Sequence, residues 1–169
     1  MEVYEKVSTN LSFVEREKAV RRFWEENKVF EKSVDASKGD YYTFFDGPPT
    51  ANGKPHIGHV LTRVIKDMIH RYHTMKGRKV LRKAGWDTHG LPVELEVEKL
   101  LGLDGKEQIE EYGLDPFITK CKESVWKYKG MWEDFSQTVV FWADMYETYV
   151  TYNNDFIESE WWALKQIWV

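Results

Sequence analysis

DGPPTANGKPHIGH, residues 46–59, crowds three prolines and a pair of histidines into the approach to a helix. Just upstream, YYTFFDG (41–47) is aromatic and β-favouring and is stopped by a Gly-Pro break, so a strand is expected there. Downstream, Ile57, Val60, Leu61, Val64, Ile65, Met68, Ile69 and Tyr72 recur at steps of three and four. That spacing predicts an amphipathic helix ending near Gly77. A second short strand is expected around Val80 and Leu81, within RKVLRKAGWD. Strand, helix and strand of these lengths make a βαβ unit, with parallel pairing and a right-handed crossover. The 46–59 turn then lies beyond the carboxyl end of the first strand, where open α/β sheets bind their ligands.

The start of a helix offers unpaired N–H groups and a partial positive charge, both of which favour a phosphate. His56 and His59 stand at this end on neighbouring faces, and both can donate hydrogen bonds to an anion. Gly58 leaves room for a flat ring or a backbone, and the prolines reduce the entropy lost on ordering the loop. The stretch reads as a preorganised anion and nucleotide site. The open alternative is a histidine pair that only caps or solvates its helix. His56, His59, His70 and His73 also make two H-x-x-H pairs, but along one helix the pairs stand roughly 16–21 Å apart, too far to share an ion. No metal site is expected, and His70 and His73 are read as surface residues. Lys54 and Arg63 are read either as electrostatic attractors of phosphate or as solvated charges.

The remaining sequence bounds the class. A chain of 169 residues suits one compact domain, and a net charge of −4 argues against a domain devoted to wrapping nucleic-acid backbone, though not against a local contact. No apolar run is long enough to span a membrane, and MEVYEKVSTN lacks the features of an export signal, so a soluble, cytoplasmic protein with no membrane partner is expected. Cys121 is the sole cysteine, which leaves no internal disulfide and no Cys-based zinc site. One N-terminal helix is expected over 11–33, then a polar loop over 33–40. Further helices are expected in LPVELEVEKLLG with Gly102 as its stop, from Pro116 to about Phe135, and in NNDFIESEWWALKQIWV behind caps at Asn153 to Asp155. QTVVFWAD is a candidate strand. The last helix has no C-cap, which suggests a truncated chain.

HIGH (56–59) is, letter for letter, the first signature of the class I aminoacyl-tRNA synthetases. With DGPPTANGKPHIGH, LTRVIKDMIHRY and GWDTHGLPVELEVEKLLG around it, residues 40–102 resemble the N-terminal half of the catalytic domain of the isoleucyl-tRNA synthetases. YVTYNNDFIESEWWALKQIW resembles the same enzymes where their large insertion begins. The resemblance implies an α/β fold with a Rossmann-like parallel sheet, present as an incomplete domain. Residues 1–40 would be an N-terminal helical extension, 41–150 the first half of the catalytic domain, and 151–169 the truncated start of the connective insertion.

By the same resemblance, ATP carried with Mg²⁺ activates L-isoleucine to isoleucyl-adenylate, whose acyl group passes to tRNA(Ile), in a parent enzyme expected to be a monomer. His56 and His59 are the implied catalytic pair, holding the ATP phosphates as pyrophosphate leaves. Asn52 and Gly58 complete the ATP site. Gly47, Pro48 and Asp87 make up the amino-acid site, with Asp87 on the α-ammonium and Pro48 against the aliphatic side chain. Trp86 and His89 support the Asp87 loop. The lysine-rich KMSKS signature, the editing domain and the cysteine zinc sites have no counterpart here, so zinc would belong to the parent alone. A different reading is a free-standing nucleotide- or tRNA-binding module that reuses the fold without aminoacylation. A third takes the aromatic, acidic C-terminal half as a surface for docking a partner.

Overall fold

The computed structural model describes residues 8–168 apart from 45 and 51. In chain order the elements are α1 (Phe13–Glu26), α2 (Val29–Asp35), β1 (Tyr41–Tyr42), α3 (Ile57–Met75), β2 (Lys79–Val80), β3 (Lys83–Trp86), α4 (Leu91–Leu101), α5 (Lys106–Tyr112), α6 (Leu114–Ser124), α7 (Lys129–Thr138), β4 (Asp144–Val150) and α8 (Asn154–Ile167). The expected βαβ unit is present: β1 and β2 flank α3 and pair in parallel, Tyr41 with Lys79 and Tyr42 with Val80. The strand expected over 41–47 is only two residues long. Its partner β2 ends at Val80, so the chain beyond Tyr42 has no ladder to join, and Phe45 lies outside the described residues. β3 and β4 form a second parallel pair, Gly85 with Tyr149 and Trp86 with Val150. A parallel bridge between Thr50 and Asp87 then joins the turn after β1 to the end of β3. This bridge sets the two loops of the site side by side.

Several sequence expectations need correction. The single N-terminal helix is two, because Asn27 Nδ2 caps the Phe23 carbonyl at 2.8 Å and Lys28 takes a left-handed φ of 48°. The bend lets Trp24 and Phe30 both set an edge against Trp142, at 5.0 and 5.9 Å between centroids. The expected loop over 33–40 loses its first residues to α2. Helix α5 was not foreseen. It lies between Gly105 and Gly113, both with positive φ, and the helical run expected from Pro116 is two helices parted by a turn at 125–128. QTVVFWAD is not a strand: Gln137 and Thr138 finish α7, Val140 has a φ of 55°, and residues 139–143 form a strap tied to α3 by the Trp142 N–H donating to Asp67 Oδ1 at 3.0 Å. As expected, α4 stops at Gly102 in the left-handed conformation and α8 begins behind Asn153.

The main core gathers Trp86, Val93, Val125, Trp132 and Val150, and a smaller one gathers Val97, Ile109 and Phe117 under α4 to α6. α3 inverts the usual arrangement. Its apolar stripe, Ile57, Leu61, Val64, Ile65, Met68 and Tyr72, is exposed, whereas Arg63, Asp67 and His70 are buried. The polar face turns inward because it meets the strap and β2. Arg71 donates through Nε to Asp67 and through a terminal nitrogen to the Val140 carbonyl, and Arg82 donates to Thr74 Oγ1 at 2.6 Å. His70 is therefore not a surface residue: it is 2% exposed, with its ring edge-on to Phe44 at 4.2 Å. His73 is half-buried and stacks on Tyr42 at 3.7 Å.

Neither ring nitrogen of His70 has a hydrogen-bond partner among the described residues. Burial, then the Arg82 charge, pushes its pKa down against the smaller pull of Asp67 and Asp46. An unfolded histidine takes its proton near pH ~6.5, so the unfolded chain binds that proton first. The stability this imidazole supports is present above that pH and is lost as pH falls through the window below it. Thermal unfolding should occur at lower temperature at about pH 5.5 than at about pH 7.5, and the gap should narrow in His70→Phe. An undiminished gap in the variant would place the acid sensitivity elsewhere.

Candidate functional site

The first turn of α3 is built by its own histidines. His56 is the N-cap residue, and its Nδ1 accepts the Gly58 N–H at 3.1 Å, while Nδ1 of His59 accepts the His56 N–H at 3.0 Å. This is a reciprocal capping box made from imidazoles instead of hydroxyl and carboxylate. The geometry fixes a tautomer. A neutral ring whose Nδ1 accepts must carry its proton on Nε2, so each histidine keeps one free Nε2–H donor. The rings lie 3.7 Å apart between centroids. Burial, then the neighbouring His56 and Arg63, lowers the His59 pKa, which favours the neutral ring. Capping and donation were alternatives in the sequence; the rings do cap the helix, and capping through Nδ1 leaves Nε2 uncommitted among the described residues. Gly58 has a local reason as well: a Cβ there would stand 3.0 Å from His56 Cε1 and 3.1 Å from its Nδ1, crowding the ring that accepts the Gly58 N–H.

The turn before α3 is held from several directions. Asn52 Nδ2 donates to the Pro92 carbonyl at 2.7 Å, and Trp132 Nε1 donates to the Gly53 carbonyl at 2.7 Å. Lys66 reaches back from α3 to Asp46 at 2.5 Å and to the Gly47 carbonyl at 3.3 Å, and the Tyr149 hydroxyl donates to the Asp46 carbonyl at 2.8 Å. Arg63 is not a solvated charge. It is 6% exposed, and its guanidinium packs over Phe141 at 4.6 Å, Trp132 at 5.3 Å and Phe135 at 5.8 Å. Lys54 is exposed.

A cavity of about 700 Å³ opens beside this turn, with Pro48, Phe44, Leu81 and Phe156 as apolar lining and Asp87 among its polar groups. The Asp87 side chain is 37% exposed, and the His89 ring approaches it, with Nδ1 3.7 Å from Oδ1. Two buried threonines fix this loop: Thr88 N–H donates to Thr151 Oγ1 at 2.9 Å, and Tyr152 N–H donates to Thr88 Oγ1 at 3.1 Å. Burial, then Asp46 and Asp87, raises the Tyr149 pKa. A cation is favoured at the partly exposed Asp87 carboxylate, and an aliphatic group against the apolar lining.

The structure thus brings Pro48 and Asp87 into one cavity and His56, Gly58 and His59 onto one helix start. Asn52 spends an amide donor on α4, and open space surrounds the position of a Gly47 Cβ. Trp86 sits in the core directly before Asp87, as a support should, and His89 leans on Thr151 at 3.3 Å. Sequence reasoning missed Asp46, Lys66, Trp132, Tyr149 and Thr151. Asp46 stood inside the stretch quoted at the outset, but the last three act from 79 to 103 residues away where they touch the turn, or 63 where Thr151 holds Thr88, and no local spacing signals that.

With this geometry established, the chain belongs to the class I tRNA synthetases (I, L, M and V), whose family profile matches residues 19–169. Its similar relatives are isoleucine–tRNA ligases: that of Clostridium kluyveri is 65% identical over 98% of this chain, and that of Clostridium tetani 61% identical over 98%. Isoleucine–tRNA ligase 2 of Bacillus cereus is 55% identical over 96%. The chain spans only 16% of the length of each. Among solved structures, a LeuRS of Agrobacterium radiobacter K84, in a ternary complex with tRNA and LeuAMS, superposes with a TM-score of 0.61 at 18% identity, covering 90% of this chain and 17% of that one. At that identity the likeness speaks to fold alone. It fits a partial Rossmann-like fold, here reduced to two-stranded parallel pieces. No helix among the described residues is long and apolar enough to cross a membrane.

Proposed function

We propose that this chain is the ATP- and isoleucine-binding half of the catalytic domain of an isoleucine–tRNA ligase acting in translation in the cytoplasm. Residues 41–150 form that half, and 151–169 lead into the connective insertion. The observation that carries the reading is the pair of histidines whose Nδ1 atoms cap the start of α3, at the end of a turn whose Asp46 and Pro48 line a cavity together with Asp87. Isoleucine lies with its ammonium on Asp87 and its side chain against Pro48. Its carboxylate oxygen forms a bond to the α-phosphorus of ATP, the bond from that phosphorus to the bridging oxygen breaks, and pyrophosphate departs with the electron pair. The protein supplies no nucleophile, so its work is to position two substrates and to stabilise charge growing on phosphate. His56 and His59 give that charge two donors that need no reorganisation, because their Nδ1 atoms are already committed to backbone. Gly58 and Asn52 border the nucleotide.

Among the described residues no group of three histidine, cysteine or acidic side chains could hold a metal. Mg²⁺ would arrive on the phosphates of ATP, as this ion commonly does, and offset their charge. The acyl group then passes to tRNA(Ile), a step that requires parts of the ligase beyond this chain.

Calorimetric titration with a non-hydrolysable isoleucyl-adenylate analogue tests the assignment. Saturable binding is expected, with the valyl analogue weaker by about 10- to 200-fold, the worth of one methylene in an apolar pocket. A chain that is folded by near-ultraviolet circular dichroism yet takes up no analogue would overturn the placement of both sites in this half.

A further inference from the structure

Trp132 lies on α7, far along the chain from the phosphate-facing turn, yet it touches that turn in three ways. Its Nε1–H donates to the Gly53 carbonyl at 2.7 Å, inside the loop that leads to His56. Its ring meets the His59 imidazole edge-on, with centroids 4.7 Å apart. The Arg63 guanidinium, one helical turn beyond His59, sits 5.3 Å over the same ring. The indole itself is 2% exposed and packs in the core with Trp86, the residue before Asp87, and with Val93 of α4. A single rigid side chain therefore meets the loop before α3, the second imidazole of the capping box and the core beneath the Asp87 loop.

We propose that Trp132 is a positioning residue for adenylate formation, setting the His59 Nε2–H and the 52–54 turn against the ATP phosphates through its bond to Gly53. This rests on the isoleucine–tRNA ligase reading above. The physical argument is one of freedom. The His59 ring is fixed at Nδ1 by the His56 N–H, but that bond fixes an axis only as well as the loop carrying His56 is fixed. The loop is stiffened by prolines, which restrict φ but anchor nothing. Among the described residues, Asn52 on the Pro92 carbonyl and Trp132 on the Gly53 carbonyl anchor this side of the loop, and of these two Trp132 also contacts the His59 imidazole. A donor displaced by about 1 Å in such a site costs up to about 100-fold in rate.

The test replaces the indole by two aromatic groups that lack its N–H, one smaller and one of the same bulk. In the full-length ligase carrying these residues, Trp132→Phe and substitution of Trp132 by benzothienylalanine, an indole isostere without the donor, are compared by ATP–pyrophosphate exchange. Rates are normalised to active sites by the burst of adenylate formed, which removes any contribution from unfolded molecules. The expected result for both is a normalised kcat lower by about 10- to 100-fold and a raised KM for ATP, with the KM for isoleucine within about twofold of wild type. Should Trp132→Phe fail to fold, the isostere, which fills the same volume, carries the test. An unchanged normalised kcat and ATP KM in a ligase that exchanges normally would overturn the proposal while leaving the ligase reading intact. Absence of isoleucine-dependent exchange in the wild-type protein would overturn both.

Discussion

His59→Asn in the full-length ligase should lower the kcat of isoleucine-dependent ATP–pyrophosphate exchange by about 100- to 1,000-fold, the usual loss when one preorganised donor to a developing oxyanion is removed. Asparagine is chosen because its Oδ1 reaches roughly the position of the imidazole Nδ1. It can still accept the His56 N–H that His59 accepts at 3.0 Å, but it places no donor where Nε2–H stood. The cap is kept and the donor is lost. His59→Ala removes both and should add a stability loss of about 1 kcal/mol from the broken cap. Equal kinetic losses in the two variants, with a lowered Tm only in the alanine form, would separate catalysis from capping. If the asparagine variant kept its kcat within about threefold of wild type, the imidazole would be a cap and no more.

The site was legible in the sequence to the extent that it is local. Residues 46–59 announce a turn and a helix start in a few positions, and the residues that make the capping box are all within three positions of one another. The βαβ unit was legible for a similar reason, since its helix is long and strongly periodic. The periodicity of α3 nevertheless misled about which face is buried. An apolar stripe reports a preference for burial, and whether it is met depends on what lies opposite; among the described residues the strap at 139–143 lies opposite the polar face instead. Asp67 and Arg71 are thus structural residues whose charges satisfy a backbone segment some 70 positions away, while Arg82 is held by Thr74 of α3. QTVVFWAD misled in the opposite sense, because β-favouring residues cannot make a strand where a carboxylate on α3 claims the backbone N–H. The Asn27–Lys28 break left a weaker trace: asparagine is a frequent helix terminator, but nothing local shows that Trp142 waits between the two helices.

Asp87→Asn is expected to raise the KM for isoleucine by about 10- to 100-fold, the range for a partly solvated charge-assisted bond, while leaving the KM for ATP unchanged. The change is nearly isosteric, and among the described residues the ionisable side chain close to the carboxylate is His89, at 3.7 Å. Stability should therefore shift by less than about 0.5 kcal/mol, within the range of ordinary surface substitutions. A second carboxylate in the same cavity, that of Asp46, supplies the control. Its side chain is only 6% exposed and already holds the Lys66 ammonium at 2.5 Å, so its charge is neutralised by the protein and not offered to a ligand. Asp46→Asn should consequently cost stability, by leaving Lys66 without its counter-charge, and change the isoleucine KM less than Asp87→Asn does. The opposite order of KM effects would mean that the substrate ammonium displaces Lys66 from Asp46, and that Asp87 serves chiefly to hold the loop that Thr88 and Thr151 fasten.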